Sequence, residues 1–253
     1  MIKDELKFQI FNVWRRLKNT PETKVIFILS HMRSGSSLLE HILSSNKDIL
    51  GMGERGSVYR EESDFDKLEF SLRWSNKKLF TKYKYVVDQV LHDDLIPNSS
   101  ILNSNKLKVV FLLRSPLEAI SSLENLGGPQ GLKNIETLNS SVNYYKKRLT
   151  NLIEISRIID IKSQHLITYE NLILNPNQTL AELNDFFKLK SPLNQHYKVK
   201  KTTGILGDRS PNIKHGSIKK TNKKLIKLEE RQLKELSDIY SSTLKTISSK
   251  CKK

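Results

Sequence analysis

The amino-acid sequence predicts a single α/β domain with a mostly parallel central sheet flanked by helices. Two apolar runs rich in β-branched residues, at 25–29 and 107–113, have the composition of buried parallel strands. The segments between the predicted strands carry apolar residues at the 3.6-residue spacing of amphipathic helices. Strands that alternate with helices pair in parallel and place ligands at their carboxyl ends. A chain of 253 residues without visible repeats suits one such domain, from residue 1 to residue 253.

The remaining elements follow in chain order. Further strands are expected at 82–90 and 164–168, and residues 54–74 are expected to be helical or irregular. Helices are expected to begin at Ser36, at Pro116 and at Asn175-Pro176. Apolar residues at helical spacing indicate the first, and proline suits the first turn of the other two. A long amphipathic helix is predicted from 135 to about 160. Residues 188–253 are predicted to form a basic loop and a C-terminal helix that runs from 225 to 247.

Residues 1–20 predict an N-terminal amphipathic helix. Its apolar residues share one helical face, and they are Leu6, Ile10, Val13, Trp14 and Leu17. Packing of this face on the domain is the prediction, and an interfacial membrane anchor is the alternative.

A strand, a loop and a helix near the start of the chain predict an anion-binding site. The run at 25–29 leads into the polar loop Ser30–Gly35, and Ser36 and Ser37 begin a helix. The first turn of a helix presents free backbone N–H groups and the positive end of the helix dipole. Arg33 adds a full positive charge, and the two serines add hydroxyl donors. The sequence therefore predicts a phosphate-binding loop.

A nucleotide triphosphatase loop is the nearest alternative, and its pattern does not fit. That pattern is Gly-x-x-x-x-Gly-Lys-Ser/Thr. Ser30 stands at the position of the first Gly, and Ser36 stands at the position of the Lys. The second core strand runs into Arg114 instead of an Asp that could hold Mg²⁺. Two arginines without a metal ligand suit a donor whose charge the protein itself neutralises.

The loop at 30–35 and the start of the helix that follows it resemble the 5′-phosphosulfate loop of sulfotransferases that use 3′-phosphoadenosine 5′-phosphosulfate (PAPS). The residues concerned are 31–37, His-Met-Arg-Ser-Gly-Ser-Ser, and the form with Arg is typical of the bacterial and tyrosylprotein branches. The family's 3′-phosphate motif, an Arg at a strand end and a Ser eight residues later, is matched by Arg114 and Ser122. The segment 169–172, Tyr-Glu-Asn-Leu, is similar to the family's Tyr-Glu-Asp-Leu. The resemblance covers residues 25–187 and implies a P-loop-like sulfotransferase fold.

The resemblance also implies which residues bind PAPS and its desulfated product 3′-phosphoadenosine 5′-phosphate (PAP). The expected donor-binding residues are Arg33, Ser34, Gly35, Ser36, Ser37, Arg114, Ser122, Tyr169, Arg209 and Ser210, with Lys214 and Lys223 as further candidates. Arg33 is also expected to be catalytic, because negative charge builds on the bridging oxygen as the sulfuryl group leaves. No metal is expected, since sulfuryl transfer needs in-line geometry and charge stabilisation.

An acceptor hydroxyl also needs a general base, and two residues compete for this role. Glu54 follows Arg33 by 21 residues in a Gly-Glu context that is similar to the glutamate base of the tyrosylprotein branch. His92 precedes Arg114 by 22 residues, which matches the histidine base of the cytosolic small-molecule branch, although that branch's Lys-Thr-His is Val-Leu-His here. A neutral His needs little tuning near pH 7, whereas a Glu base must be desolvated. Glu54 is favoured only slightly.

The net charge of +16 is concentrated in the C-terminal quarter. Residues 188–253 contain 18 Lys and Arg against 5 Asp and Glu, a net charge of +13. Such a cluster suits a polyanionic donor, an anionic acceptor or nucleic acid. Few aromatic residues stand among these lysines, so nucleic acid is not expected as a partner. A P-loop nucleotide kinase and a non-enzymatic nucleic-acid-binding protein remain the alternatives to a sulfotransferase.

Composition also bears on the compartment. No apolar run approaches the roughly 18 residues of a membrane span, and the N-terminal apolar residues are scattered among charges, unlike a signal peptide. The single Cys251 excludes an internal disulfide and fits a reducing compartment, so a cytoplasmic location is expected.

The sequence does not identify the acceptor, which could be a carbohydrate, a lipid, a small molecule or a peptide. Leu126 stands where the tyrosylprotein branch has a further Arg, which argues against a tyrosylprotein acceptor.

Overall fold

A parallel sheet forms the centre of the computed structural model, which describes residues 2–17, 22–96, 98–125, 138–200, 203–204, 211–220 and 224–251. Its strands are β1 Lys24–Ser30, β2 Ile49–Leu50, β3 Tyr85–Val90, β4 Leu107–Leu113 and β5 Gln164–Thr168. Within the described residues every pairing is parallel, and the strand order is β2-β3-β1-β4-β5. β1 is therefore the central strand. The predicted fold class, an α/β domain with a mostly parallel sheet, is confirmed.

Helices cover both faces of this sheet. They are α1 Ile2–Leu17, α2 Ser36–Ser44, α3 Ser63–Ser75, α4 Pro116–Glu124, α5 Leu138–Ile158, α6 Tyr169–Leu174, α7 Pro176–Phe187 and α8 Glu230–Lys250. One sheet face packs against α3, α4, α5 and α8, and the other packs against α2, α6 and α7. Among the described residues, none of the helices is both long enough and apolar enough to cross a bilayer.

The central strand contributes side chains to both cores. Successive side chains of a strand point to opposite faces. Val25, Phe27 and Leu29 join the core beside α3 and α5, whereas Ile26 and Ile28 join the core beside α2 and α7. All five side chains are at most 1% exposed. Burial on both faces explains why this segment is a continuous apolar run in the sequence.

The carboxyl ends of β1 and β3 are held together by Arg148 of α5. Its Nε donates to the Ser30 carbonyl at 3.0 Å, its Nη2 donates to the Val90 carbonyl at 2.7 Å, and its Nη1 pairs with Asp93. The Arg148 side chain is 1% exposed. These bonds tie the carboxyl ends of two neighbouring strands to α5.

Two predicted element boundaries differ from the structure. β3 begins at Tyr85 instead of residue 82, and the preceding Lys82 and Lys84 are exposed. α8 begins at Glu230 instead of residue 225, because Glu229 before it has an extended backbone, and the helix ends at Lys250.

α1 packs on α3 through aromatic rings and an ion pair. The ring centroids of Phe8 and Phe11 each lie 5.6 Å from that of Phe70. Arg15 Nη1 lies 2.7 Å from a carboxylate oxygen of Asp66. The inner face of α1 is therefore aromatic and basic.

The face of α1 that was predicted to pack on the domain is exposed. The side chains of Leu6, Ile10 and Val13 are 61%, 60% and 54% exposed. The prediction for these three residues is wrong, because the large rings of Phe8 and Phe11 occupy the inner face instead. The side chains of Trp14 and Leu17 lie outside the described residues.

Replacing Arg148 by methionine is expected to lower the free energy of unfolding by about 3 kcal/mol, because buried carbonyls and Asp93 lose their partner. Urea unfolding followed by circular dichroism measures the change. Arg157→Met is the matched control on the same helix, since Arg157 pairs with Glu154 on the surface and should contribute less than about 0.5 kcal/mol. Equal losses in both variants would contradict the role of Arg148.

Candidate functional site

The loop between β1 and α2 turns sharply at the carboxyl end of the central strand. Arg33 has a φ of +63° and Gly35 a φ of +98°, and both values lie in the left-handed region. Such a conformation is strained for Arg33 and easy for glycine. Gly35 is the N-cap residue of α2, so no side chain caps the helix, and its first turn contains no acidic residue. The N–H groups of this turn are arranged to receive an anion.

The ring of Tyr169 lies against this loop. A Cβ atom at position 35 would come within 2.5 Å of the ring atom Cδ2, so Gly35 is required for this contact. The guanidinium carbon of Arg114 lies 4.0 Å from the centroid of the same ring, which is a cation–π contact. Tyr169 therefore joins the start of α6 to both the loop and Arg114.

Both predicted anion-binding arginines belong to one cluster. Arg33 Nε donates to Ser122 Oγ at 3.1 Å, and Arg114 Nη1 donates to the Arg33 carbonyl at 3.2 Å. Arg114 also donates from Nε and Nη2 to one oxygen of Glu118, at 3.1 and 2.7 Å. Arg114 is 5% exposed and Ser122 is 2% exposed. The ends of β1 and β4 thus bring together residues that are about 80 to 90 positions apart.

The imidazole of His31 joins the same two strand ends. Its Nδ1 lies 2.8 Å from the Met32 carbonyl, and the backbone N–H of Arg114 lies 3.1 Å from its Nε2. A carbonyl accepts and an N–H donates, so the ring carries its proton on Nδ1 and is neutral. The pKa of His31 is lowered to about 4. Burial is the main cause, the charges of Arg114 and Arg148 act in the same direction, and the hydrogen bond to Met32 acts against them. Sequence reasoning gave this residue no role.

Two tyrosines of α5 also fix the backbone of the site. The hydroxyl of Tyr144 accepts from the Met32 N–H at 2.8 Å and donates to the Leu91 carbonyl at 3.0 Å. The hydroxyl of Tyr145 donates to the Arg114 carbonyl at 2.6 Å. Burial raises the pKa of Tyr144 to about 12, so its hydroxyl stays protonated. Sequence reasoning missed Tyr144, because its partners Met32 and Leu91 are distant in the sequence.

The two candidate bases both interact with Tyr144, whose hydroxyl contacts the loop at Met32. The rings of His92 and Tyr144 have centroids 6.2 Å apart, and the charge of Glu54 helps to raise the pKa of Tyr144. Burial raises the pKa of Glu54. Burial lowers the pKa of His92, and the charge of Arg148 lowers it further. Nδ1 of His92 is buried and has no hydrogen-bond partner among the described residues. Both groups can therefore act as bases near neutral pH.

Serine hydroxyls line the start of α2. Oγ of Ser34 is buried and has no hydrogen-bond partner within the part of the chain that the structure describes. Ser36 and Ser37 are also buried. A buried hydroxyl without a hydrogen-bond partner lowers stability unless a bound group supplies that partner. The donor set of amides, hydroxyls and arginines therefore fits a phosphate-bearing ligand.

The segment that precedes the predicted third donor contact is joined to α2. Lys200 Nζ lies 2.9 Å from a carboxylate oxygen of Glu40 and 3.0 Å from the Gly51 carbonyl. Burial alone would raise the pKa of Glu40, but the neighbouring His41 and Lys200 outweigh it and lower the pKa to about 2. Sequence reasoning missed this buried ion pair.

Part of the predicted site cannot be compared with the structure. Arg209, Ser210 and Lys223 lie outside the described residues. Lys214 lies over Gly204, where a Cβ would meet its Cε at 3.1 Å. Within the described ranges, no three His, Cys, Asp or Glu side chains come together as a metal site would need.

The fold matches those of solved sulfotransferases. The sulfotransferase domain from the curacin biosynthetic pathway superposes with a TM-score of 0.59 at 18% identity, covering 88% of this chain and 99% of that chain. The sulfotransferase domain from the Synechococcus PCC 7002 olefin synthase gives a TM-score of 0.57 at 15% identity, covering 88% and 95%. Mouse SULT7A1 complexed with PAP gives a TM-score of 0.57 at 12% identity, covering 91% and 87%. The chain therefore has the sulfotransferase fold that the motifs predicted.

Comparisons at the level of sequence give a different result. No protein-family model matches this sequence, and no curated protein matches it. The similarity to sulfotransferases is thus carried by the fold and by short motifs.

Stability is expected to fall between pH 6.5 and pH 4 because of His31. Its pKa of about 4 in the folded chain lies below the ordinary 6.5, so the unfolded chain takes up the proton first as the pH falls. The neutral ring therefore contributes its full stabilisation above pH 6.5. About 2 to 3 kcal/mol of that stabilisation should be lost by about pH 4.5, from the linkage relation.

Urea unfolding at both pH values tests this expectation. Other groups titrate in the same range, so the wild type is compared with His31→Gln, which cannot titrate. The wild type should lose about 2 to 3 kcal/mol more than the variant between about pH 7 and pH 4.5. Parallel losses in the two proteins would mean that the buried ring is not neutral.

Proposed function

We propose that this chain is a sulfotransferase that moves the sulfuryl group of PAPS to a hydroxyl or an amine of an acceptor. The observation that carries the proposal is the joining of two anion-binding elements. Arg33 of the loop donates to Ser122 at 3.1 Å, and Arg114 donates to the Arg33 carbonyl at 3.2 Å. One adenosine with phosphate groups at both ends would engage both elements at once.

The donor would be held by groups of three kinds. The backbone N–H groups of residues 35–37, together with the side chain of Arg33, would bind the 5′ end, since the first turn of α2 has no acidic residue and its N-cap is glycine. The Ser34 N–H donates to the His31 carbonyl at 3.3 Å, so Ser34 would contribute its hydroxyl. Arg114 and Ser122 would bind the 3′-phosphate, and the Tyr169 ring would orient Arg114. The fold shared with mouse SULT7A1, which was solved with PAP, supports this class of donor.

The chain's own residues would assist the transfer in two ways. PAPS supplies an activated sulfuryl group and a leaving oxygen on which negative charge builds. Arg33 would stabilise that charge, because its strained backbone and its bond to Ser122 hold the guanidinium at the junction of the two anion-binding elements. Glu54 or His92 would remove the proton of the acceptor, since both are partly desolvated and both interact with Tyr144, whose hydroxyl contacts the loop.

Replacing Arg114 by glutamine is expected to raise the dissociation constant of PAP about 10- to 100-fold, because a charge-assisted hydrogen bond contributes about 1.5–3 kcal/mol. Isothermal titration calorimetry with PAP and with adenosine 5′-monophosphate measures the effect. The monophosphate lacks the 3′-phosphate, so its affinity should stay within about twofold. Arg157→Gln on the surface of α5 is the matched control. An equal loss for both nucleotides would contradict the assignment of Arg114 to the 3′-phosphate.

Replacing the general base is expected to lower turnover about 10²- to 10⁴-fold while PAP affinity is unchanged. Glu54→Gln and His92→Asn are compared by following PAP formation from PAPS with a panel of phenols, alcohols and amines. One variant should lose activity to this extent, and the other should lose less than about tenfold. Losses below about threefold in both variants would exclude both residues as the base.

The pH profile identifies the base through the loss of its acidic limb. A base works when it is deprotonated, so the rate rises with pH through its pKa. The limb from Glu54 should lie above 4.5, because burial raises its pKa, and the limb from His92 should lie below 6.5, because burial lowers its pKa. The two pKa values approach each other, so the position of the rise in the pH–rate profile does not identify the base. The base is the residue whose substitution abolishes that rise.

A further inference from the structure

An exposed apolar surface is formed by α1 and by the end of α3 with the segment that follows it. We name it the apolar patch and define it as Leu6, Ile10 and Val13 of α1 with Trp74 and Phe80. Their exposed fractions are 61%, 60%, 54%, 46% and 68%. Large apolar side chains are seldom this exposed in a group unless they meet a partner.

The members of the apolar patch belong to neighbouring elements. Lys7 Nζ lies 4.6 Å from the ring centroid of Trp74, so the end of α3 adjoins α1. Arg73 donates to the carbonyls of Leu79 and Thr81, which holds the segment with Phe80 against the same end of α3. The inner face of α1 is already occupied by its contacts with α3. The outer face is therefore presented in a fixed position.

Lysines surround the apolar patch. Lys77, Lys78 and Lys82 are exposed in the segment between Trp74 and β3, and Lys7 lies on α1. The acidic groups below α1 already have cationic partners, since Asp66 pairs with Arg15 and Glu69 pairs with Arg73. The positive charge beside the patch is thus not cancelled by these carboxylates. A partner that complements this surface is apolar at its centre and negative around it.

We propose that the apolar patch docks on a lipid bilayer that carries anionic headgroups. Leu, Ile, Val and Phe side chains gain free energy when they enter the boundary between headgroups and acyl chains, and Trp prefers that boundary. Lysines beside such a patch attract anionic lipids, and their long stems let the ammonium groups stay among the headgroups. The outer face of α1 lies along the domain surface, so the helix would rest in the plane of the interface.

A second copy of this chain complements the surface less well than a bilayer does. A two-fold contact would place the same patch on both partners and would bring Lys77, Lys78 and Lys82 of one copy near those of the other. Like charges that meet at an interface oppose association. The bilayer proposal is independent of the sulfuryl transfer proposed above, and its test uses no activity measurement.

Flotation of the full chain with vesicles tests the proposal. Vesicles of phosphatidylcholine alone are compared with vesicles that contain about 30% phosphatidylglycerol. The chain should bind the anionic vesicles at least about tenfold more tightly, since each lysine near the surface strengthens binding several-fold. High salt should weaken this binding, because it screens the lysines. No binding to the anionic vesicles at low salt would overturn the proposal, and so would equal binding to both kinds.

Two pairs of variants separate the apolar from the electrostatic contribution. Leu6→Ser, Ile10→Ser and Val13→Ser in one chain should weaken binding at least about tenfold. The matched control carries Leu174→Ser, Val199→Ser and Leu225→Ser, which are 61%, 49% and 50% exposed on other surfaces. The double variant Lys77→Gln and Lys78→Gln should weaken binding to anionic vesicles about tenfold. Its matched control is Lys219→Gln with Lys220→Gln, both exposed elsewhere.

The substituted side chains are exposed, so a loss of vesicle binding can be distinguished from a loss of folding. Circular dichroism and thermal unfolding should show unchanged folding in all four variants. Undiminished binding by the apolar-patch variant would overturn the proposal, and so would equal weakening by its control. Sedimentation of the chain without lipid is measured in parallel. Self-association that disappears in the apolar-patch variant, without any vesicle binding, would identify the surface as a contact between copies and would also overturn the proposal.

Discussion

The hydrogen bonds between α5 and the strand ends are the interaction on which the rest of the site depends. Parallel strands end at one edge of the sheet, where their last backbone groups need partners outside it. Arg148, Tyr144 and Tyr145 supply these partners to the ends of β1, β3 and β4 and to the first residues of the loops that follow. The backbone of Met32, next to Arg33, and that of Arg114 are therefore positioned by one rigid helix. Two loops from distant parts of the sequence can act as one site for this reason.

The central sheet and the loop after β1 could be predicted because their signals are local. A strand that is buried on both faces must be apolar at nearly every position, as 25–29 and 107–113 are. The turn into α2 needs glycine at its N-cap, and that residue stands in the sequence as Gly35. Edge positions carry a weaker signal. The start of β3 was placed three residues too early, since exposed Lys82 and Lys84 flank a tyrosine that resembles a strand residue.

Partners that meet only in the folded chain could not be predicted. Arg148 stands in the sequence as one of several basic residues on α5, and its burial depends on the Ser30 carbonyl, 118 residues away. α1 presents a related difficulty. Periodicity identifies an apolar face but does not say which side of a helix the domain covers. The rings of Phe8 and Phe11 pack against Phe70 of α3, so the face that carries Leu6, Ile10 and Val13 is exposed.

The strand order has a consequence for how the chain folds. β1 is central, but both of its neighbours come later in the sequence, since Lys24 pairs with Tyr85 and Val25 pairs with Leu107, 61 and 82 residues further on. Closing such long loops is entropically costly, so a sheet of this topology assembles slowly. During synthesis on the ribosome, β1 emerges before both of its neighbours and stays without a neighbouring strand until residues 85–113 follow. We expect the nascent chain to depend on chaperones during that interval.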